Sequence, residues 1–204
     1  NWLGNCAERR GEHDKAEQLQ RKALDIYEKV EGPNSAEAAH CWNNLGNIAV
    51  VQKKLDVAEK HHRKALEIRE TTLGKDHPMV ALSLHNLGIV LREQGKAKEA
   101  EEHGLRAVET YRKLNPEHGD LVLPLRMLTD LCIQQKRWAD AEKHARDWLR
   151  ILESDGIDEL AELAETSFRR LDTNGDNRLG ANEMPARLKA DLAKWDKNKD
   201  GEIS

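Results

Sequence analysis

Aromatic residues are scarce in this sequence, at 4 % of 204 residues, while charged residues reach 34 %. A core built from such a chain has to come from Leu, Ala, Val and Ile on amphipathic helices. Long apolar runs are missing too: none approaches the roughly 18 residues of a membrane-spanning helix. No surplus of one charge exists; the net charge is −4 with both signs interspersed, which argues against a nucleic-acid footprint. Cys6, Cys41 and Cys132 form neither a disulfide framework nor a metal spacing, and are expected as buried, reduced thiols. Catalytic signatures are absent: the sequence has no Gly-rich phosphate loop, no nucleophile elbow and no His-Glu-x-x-His. Ser35, Ser83, Ser154 and Ser167 stand in ordinary helical or connecting contexts. The expected protein is not an enzyme. Because Asn1 falls within a helical pattern and Ser204 within a loop, the chain reads as a segment of a longer protein.

What the chain does have is a repeat. "LGN" at 3–5 returns as "LGN" at 45–47 and "LGI" at 87–89, each time 42 residues on. Ala16, Ala58 and Ala100 keep that period, as do Ala23, Ala65 and Ala107. A fourth copy arrives one residue early, with Leu128, Ala141 and "AEKHA". Repeats of this length are stacked supersecondary units. Each unit reads as two helices, the first with Leu-Gly near its middle. The second resembles "DVAEKHHRKALEIRE", where Val57, Ala58, His61, Ala65, Leu66 and Ile68 make an amphipathic stripe. Gly and Ala in the shared columns let two helix backbones approach closely. "EGPNSAE", "LGKDHPMV" and "LNPEHGD" separate the units, with Gly and Pro ending one helix before the next begins.

These columns resemble the tetratricopeptide repeat, and "ALEIRETTLGKDHPMVALSLHNLG" is most similar to the repeats of kinesin light chains and their bacterial relatives. The resemblance covers residues 1–152, in units of about 1–30, 35–72, 77–114 and 119–152. It departs in the fourth copy, where Trp148 replaces Ala and Thr129 replaces Gly, and the array is expected to end there. The resemblance implies an all-α solenoid whose first helices line a concave groove for a peptide or protein segment. It places Asn1, Asn43, His85 and Arg126 two residues before the Leu of Leu-Gly. Asn5, Asn47, Ile89 and Asp130 stand two after it, and Glu8, Val50, Arg92 and Ile133 one turn further. Asparagine amides can pair with an extended peptide backbone or simply solvate the face. The carboxylate clamp of co-chaperone relatives is not supported, because Leu82, Asn86, Leu123 and Met127 occupy its places. His61, His103 and His144 share one column, but successive repeats stand about 8–10 Å apart, too far for one zinc ion.

After a short link at 153–156, residues 157–204 change character. "DTNGDNRLGANE" offers Asp172, Asn174, Asp176, the Arg178 carbonyl and Glu183 at positions 1, 3, 5, 7 and 12. A hard cation such as Ca²⁺ takes its oxygens at that spacing. Helical patterns flank the loop, and it resembles an EF-hand, with Asn177 in place of the usual Gly at position 6. A second loop begins 24 residues later with Asp196, Asn198, Asp200 and the Glu202 carbonyl, and the chain ends before its twelfth position. Leu179 and Ile203 are the apolar anchors, eighth in each loop. If 184–195 is one continuous helix, about 18 Å long, the loops are held apart and the usual β-ladder cannot form. Compact loop pairs of this kind resemble those of exported bacterial proteins, which leans towards the cell envelope or export, with a cytoplasmic location as the alternative. The stripe Leu160, Leu163, Ala164, Phe168 and Leu171 is expected to cap the last repeat. The reading is a non-enzymatic scaffold with Ca²⁺ regulating or stabilising its end. The alternative is the scaffold portion of a larger enzyme or exported protein in which Ca²⁺ is purely structural.

Overall fold

The structure is a computed structural model that describes residues 12–115, 119–154, 179–180 and 202–203. The described repeats are antiparallel helical hairpins. Helix α1 (His13–Val30) is followed by α2 (Ala36–Val51) and α3 (Leu55–Leu73), then by α4 (Pro78–Glu93) and α5 (Ala97–Leu114). A 3₁₀ turn at Gly119–Leu121 leads into α6 (Val122–Gln134), and α7 (Trp138–Ser154) closes the series. From α1 to α6 each helix packs on its chain neighbours, and α4 also lies against α6, so these two first helices sit side by side. Two compact units divide between Ile151 and Leu152.

Local chemistry explains where the helices start and stop. Ser35 caps α2 by accepting the Ala38 N–H at 3.2 Å, and the His77 ring does the same for the Met79 N–H ahead of α4 at 3.1 Å. Pro78 at the first position of α4 costs nothing there, since that N–H has no partner within the helix. Gly32 and Gly74 take positive φ in the connections between hairpins.

The core sits between the helices of each hairpin and between hairpins. Ala16, Ala58, Ala100, Ala65 and Ala107 are fully buried, as the periodic columns require. Ala49, Ala58 and Val90 form one cluster that joins α2, α3 and α4. Val57, read as part of the buried stripe of α3, is instead 37 % exposed, and His62 takes the inward place at 1 %. The reason is Gly46: a Cβ there would lie 2.5 Å from His62 Cε1, so the imidazole lies flat in the space that the glycine leaves. One hairpin on, Met127 reaches from α6 over Gly88 and Gly104 to fill the corresponding gap. Cys41 and Cys132 are buried free thiols, with burial raising the pKa of each; Cys6 lies outside the described residues.

Residues Leu179–Gly180 (β1) and Glu202–Ile203 (β2) correct one expectation. They pair antiparallel, Leu179 opposite Ile203 and Gly180 opposite Glu202. Among the described residues the fold is therefore helical apart from one two-residue ladder. The ladder expected to be excluded is present between these four residues. The pairing gives partners to backbone N–H and C=O groups that an isolated loop would leave to water.

Candidate functional site

The face formed by α2, α4 and α6 carries the residues expected to contact a ligand, and the structure sorts them by accessibility. Asn43 is only 6 % exposed; its Oδ1 accepts a hydrogen bond from Asn86 Nδ2 at 3.0 Å, tying α2 to α4. His85 is buried at 7 %. Asn47, Ile89 and Arg92 are half-buried, while Arg126 and Asp130 are exposed. Arg92 donates to Asp130 at 3.0 Å and to Glu93 at 3.2 Å, so two of the expected ligand contacts neutralise each other. Asn5 lies outside the described residues, as do Asn1 and Glu8.

Between α2 and α4 these side chains leave a pocket of about 270 Å³. Asn47 and Asn86 supply amides, Val50, Val51 and Ile89 an apolar wall, and the His62 ring lines it as well. His62 Nδ1 and His85 Nδ1 are both buried without a hydrogen-bond partner. Burial drives the pKa of each imidazole down to about 4, helped by the cations Arg69 and Arg92 respectively. Neutral rings therefore line this face at physiological pH. A neutral polar lining beside apolar side chains suits an uncharged stretch of polypeptide.

The sequence reading missed His62 and Val51 as parts of this pocket and gave Asn86 no role in it. His62 belongs to a second helix, and the signal for it was Gly46 in the first, which makes room for a ring. His61, His103 and His144 are each half-buried on separate helices, and His61 stacks against Trp42 with ring centroids 5.1 Å apart. Among the described residues no cluster of three His, Cys, Asp or Glu side chains could hold a metal ion. Also among them, no helix is long and apolar enough to cross a membrane.

The Ca²⁺ ligands expected from the sequence, Asp172, Asn174, Asp176, Arg178, Glu183, Asp196, Asn198 and Asp200, lie outside the described residues. So do the stripe from Leu160 to Leu171 and the link at 155–156. Glu202 falls within β2.

Solved structures share this fold. BtubC (BKLC) from P. vanneervenii superposes with a TM-score of 0.70 at 24 % identity, over 76 % of this chain and 62 % of that one. The apo form of RapI gives 0.71 at 19 % identity, over 84 % and 66 %. A substituted form of a Podosopora anserina kinesin light chain with nearly identical TPR-like repeats gives 0.54 at 16 % identity, over 80 % and 89 %. The chain thus spans less than two thirds of the length of the first two. No curated protein sequence matches it. The tetratricopeptide repeat family profile matches residues 1–50, 42–113 and 90–154. With hairpins, small-residue columns and profile in agreement over three quarters of its length, the chain belongs to the tetratricopeptide repeat family.

Proposed function

We propose that this chain is a non-enzymatic interaction scaffold that holds an extended or helical segment of a protein partner against the concave face of α2, α4 and α6. The observation that carries this reading is the pocket between α2 and α4, where the Asn47 and Asn86 amides stand beside Val50 and Ile89. Amides offer donors and acceptors to a peptide backbone, and the apolar wall accepts one of its side chains. The test is a phage-displayed random peptide library selected on the whole chain. Selected peptides should lose binding to Asn43→Ala combined with Asn47→Ala while the helical circular dichroism stays unchanged. Peptides indifferent to both changes would move the site off this face.

The second half of the reading is Ca²⁺ held by the loops starting at Asp172 and Asp196, regulating or stabilising the scaffold. Two things support it. The donor set is all oxygen, as a hard cation requires. The register of β1 and β2 also matches: Leu179 and Ile203, eighth in their respective loops, are direct partners. Asp172, Asn174, Asp176 and Glu183 would hold the ion, with the Arg178 carbonyl. Calorimetry with Ca²⁺ and Mg²⁺ is the measurement. Glu183→Gln should abolish most Ca²⁺ affinity by removing the bidentate oxygen pair; unchanged affinity would exclude this loop as the site. A dissociation constant of roughly 10⁻⁷–10⁻⁵ M fits a regulatory role, and roughly 10⁻⁴–10⁻³ M a structural one outside the cell.

A further inference from the structure

Away from the groove, the second hairpin contains a buried cation that the repeat pattern does not call for. The column 42 residues apart reads Tyr27, Arg69, Tyr111. Tyr27 packs against the core of the first two hairpins, and Tyr111 is buried at 2 %. An aromatic ring thus satisfies this place in the flanking hairpins. Arg69 occupies it at 3 % exposure. Its Nη1 donates to Ser83 Oγ at 2.6 Å and to the Met79 carbonyl oxygen at 3.3 Å. Both acceptors are neutral and both lie on one edge of the guanidinium. Among the described residues no carboxylate pairs with Arg69, and its Nε–Nη2 edge has no acceptor. Burial lowers the Arg69 pKa to about 10, against the opposing influence of the Tyr111 phenol. A guanidinium in this position remains charged at neutral pH, and a buried charge without a counter-ion is costly.

Arg69 lines a pocket of about 250 Å³ at the turn edge of the hairpin, with Ala36, His40, Thr72, Leu73 and Met79. The rest of the lining is mostly apolar. Glu37 also stands at the pocket, but it is exposed and hydrogen-bonded to the Glu31 carboxyl, whose pKa is raised by that contact. Its negative charge at the mouth disfavours a dianion more than a monoanion. The free Nε–Nη2 edge of a guanidinium matches the two oxygens of one carboxylate, in the bidentate arrangement that gives Arg its preference for such groups.

From this geometry we infer that the pocket beneath Arg69 binds a monocarboxylate carried on a short apolar stem, with the guanidinium edge holding the carboxylate and Leu73 and Met79 flanking the stem. The site is independent of the groove. Such a group comes either from a free short-chain acid or from the terminus of a partner polypeptide.

The test is NMR titration of the whole chain, following the Arg69 Nε–H resonance in the parent and, in every variant, the backbone amides of Thr72 and Leu73, which line the pocket. Three probes separate the sources: butyrate, an N-acetylated Ala-Leu dipeptide with a free carboxylate, and the same dipeptide as its amide. Butyrate or the dipeptide acid should shift the resonance saturably, and the amide should not. Tighter binding of the dipeptide acid than of butyrate assigns the site to a polypeptide terminus, and equal or weaker binding assigns it to a free acid; both uphold the proposal. Arg69→Tyr copies the residue of the flanking hairpins, so it keeps the packing and should abolish binding. Glu37→Gln should tighten binding several-fold by removing the repelling charge. Asn43→Ala with Asn47→Ala should leave it unchanged. The proposal fails if neither acid moves the resonance, if the amide binds as well as the acid, or if Arg69→Tyr retains binding. Inorganic phosphate binding more tightly than butyrate would overturn the monocarboxylate assignment.

Discussion

At the scale of single residues, Gly46 and Gly88 share one structural purpose and differ in what faces them. A Cβ at Gly46 would lie 2.5–2.7 Å from three atoms of the His62 ring, which is rigid and 1 % exposed. At Gly88 the nearest atom is Met127 Cε at 2.9 Å, the free end of an unbranched chain. Alanine gains roughly 0.5–1 kcal/mol over glycine from helix propensity, and overpacking costs about 1–3 kcal/mol where the neighbour cannot move. Gly46→Ala should therefore lower stability by about 1–2 kcal/mol, while Gly88→Ala stays close to neutral because Met127 can adopt another rotamer. Urea denaturation of the two variants decides the matter; equal losses would mean that His62 yields as easily as Met127. The small-residue columns were legible in the sequence because close helix approach tolerates nothing larger. Their occupants were not, since the filler comes from a different helix in each hairpin: His62 from α3, Met127 from α6.

At the scale of elements, the turns inside the second, third and fourth hairpins each use one residue with positive φ. Gly95 supplies it at 77° in the third hairpin, but Lys53 and Lys136 do so at 60° and 62° in the second and fourth. A side chain in the left-handed region costs roughly 1–2 kcal/mol, part of which glycine gives back in chain entropy. Lys53→Gly and Lys136→Gly should each raise stability by about 0.5–1 kcal/mol, read as a higher urea midpoint; a lower midpoint would mean that the lysine chains contribute contacts outweighing the strain. The column Gly11, Lys53, Gly95, Lys136 was visible in the sequence, but two lysines in it gave no turn signal. Charged side chains tell a similar story. Many pair between the second helices of successive hairpins, or the residues just before them: Arg63 with Glu99, Lys96 with Glu59, Arg112 with Asp147 and Arg137 with Glu101. The offset of 35–37 residues is the repeat length less roughly one and a half to two helical turns. Each exposed pair contributes about 0.2–1 kcal/mol, so the ladder sets register between hairpins more than it supplies stability. The β1–β2 pairing was illegible for a different reason: an apolar helical pattern between two loops predicts length and not whether the loops meet.

For the whole molecule, acidity is the condition to which this architecture is most exposed. Stacked hairpins turn one face of each helix towards its neighbours, and histidines recur along both helices of the repeats. His40, His61, His62, His85, His103 and His144 all have their pKa lowered, burial being the first cause in each. A histidine whose folded pKa lies below its unfolded value binds fewer protons in the native state. Its contribution is fully present above the unfolded pKa of about 6.5 and is lost as pH falls from there towards the folded value. For His62 and His85 that window runs from about 6.5 to about 4. Carboxylates act lower: burial alone would raise Glu59, but hydrogen bonds from Lys96 and Arg63 bring it to about 2, so its contribution is lost only below the ordinary carboxylate range. At about 1.4 kcal/mol per pH unit and group, His62 and His85 together should cost on the order of 3–4 kcal/mol between pH 7 and pH 5. The repeats themselves supply the control. The column of His62 holds Gln20, buried at 0 %, in the first hairpin, and the column of His85 holds Asn43 in the second. His62→Gln with His85→Asn therefore exchanges each imidazole for a neutral side chain that the fold already accommodates at the equivalent place. Urea midpoints at pH 7 and pH 5 should fall steeply for the parent chain and far less for the double variant. Parallel losses in both would show that the remaining histidines, and not these two beside the groove, carry the acid sensitivity of the array.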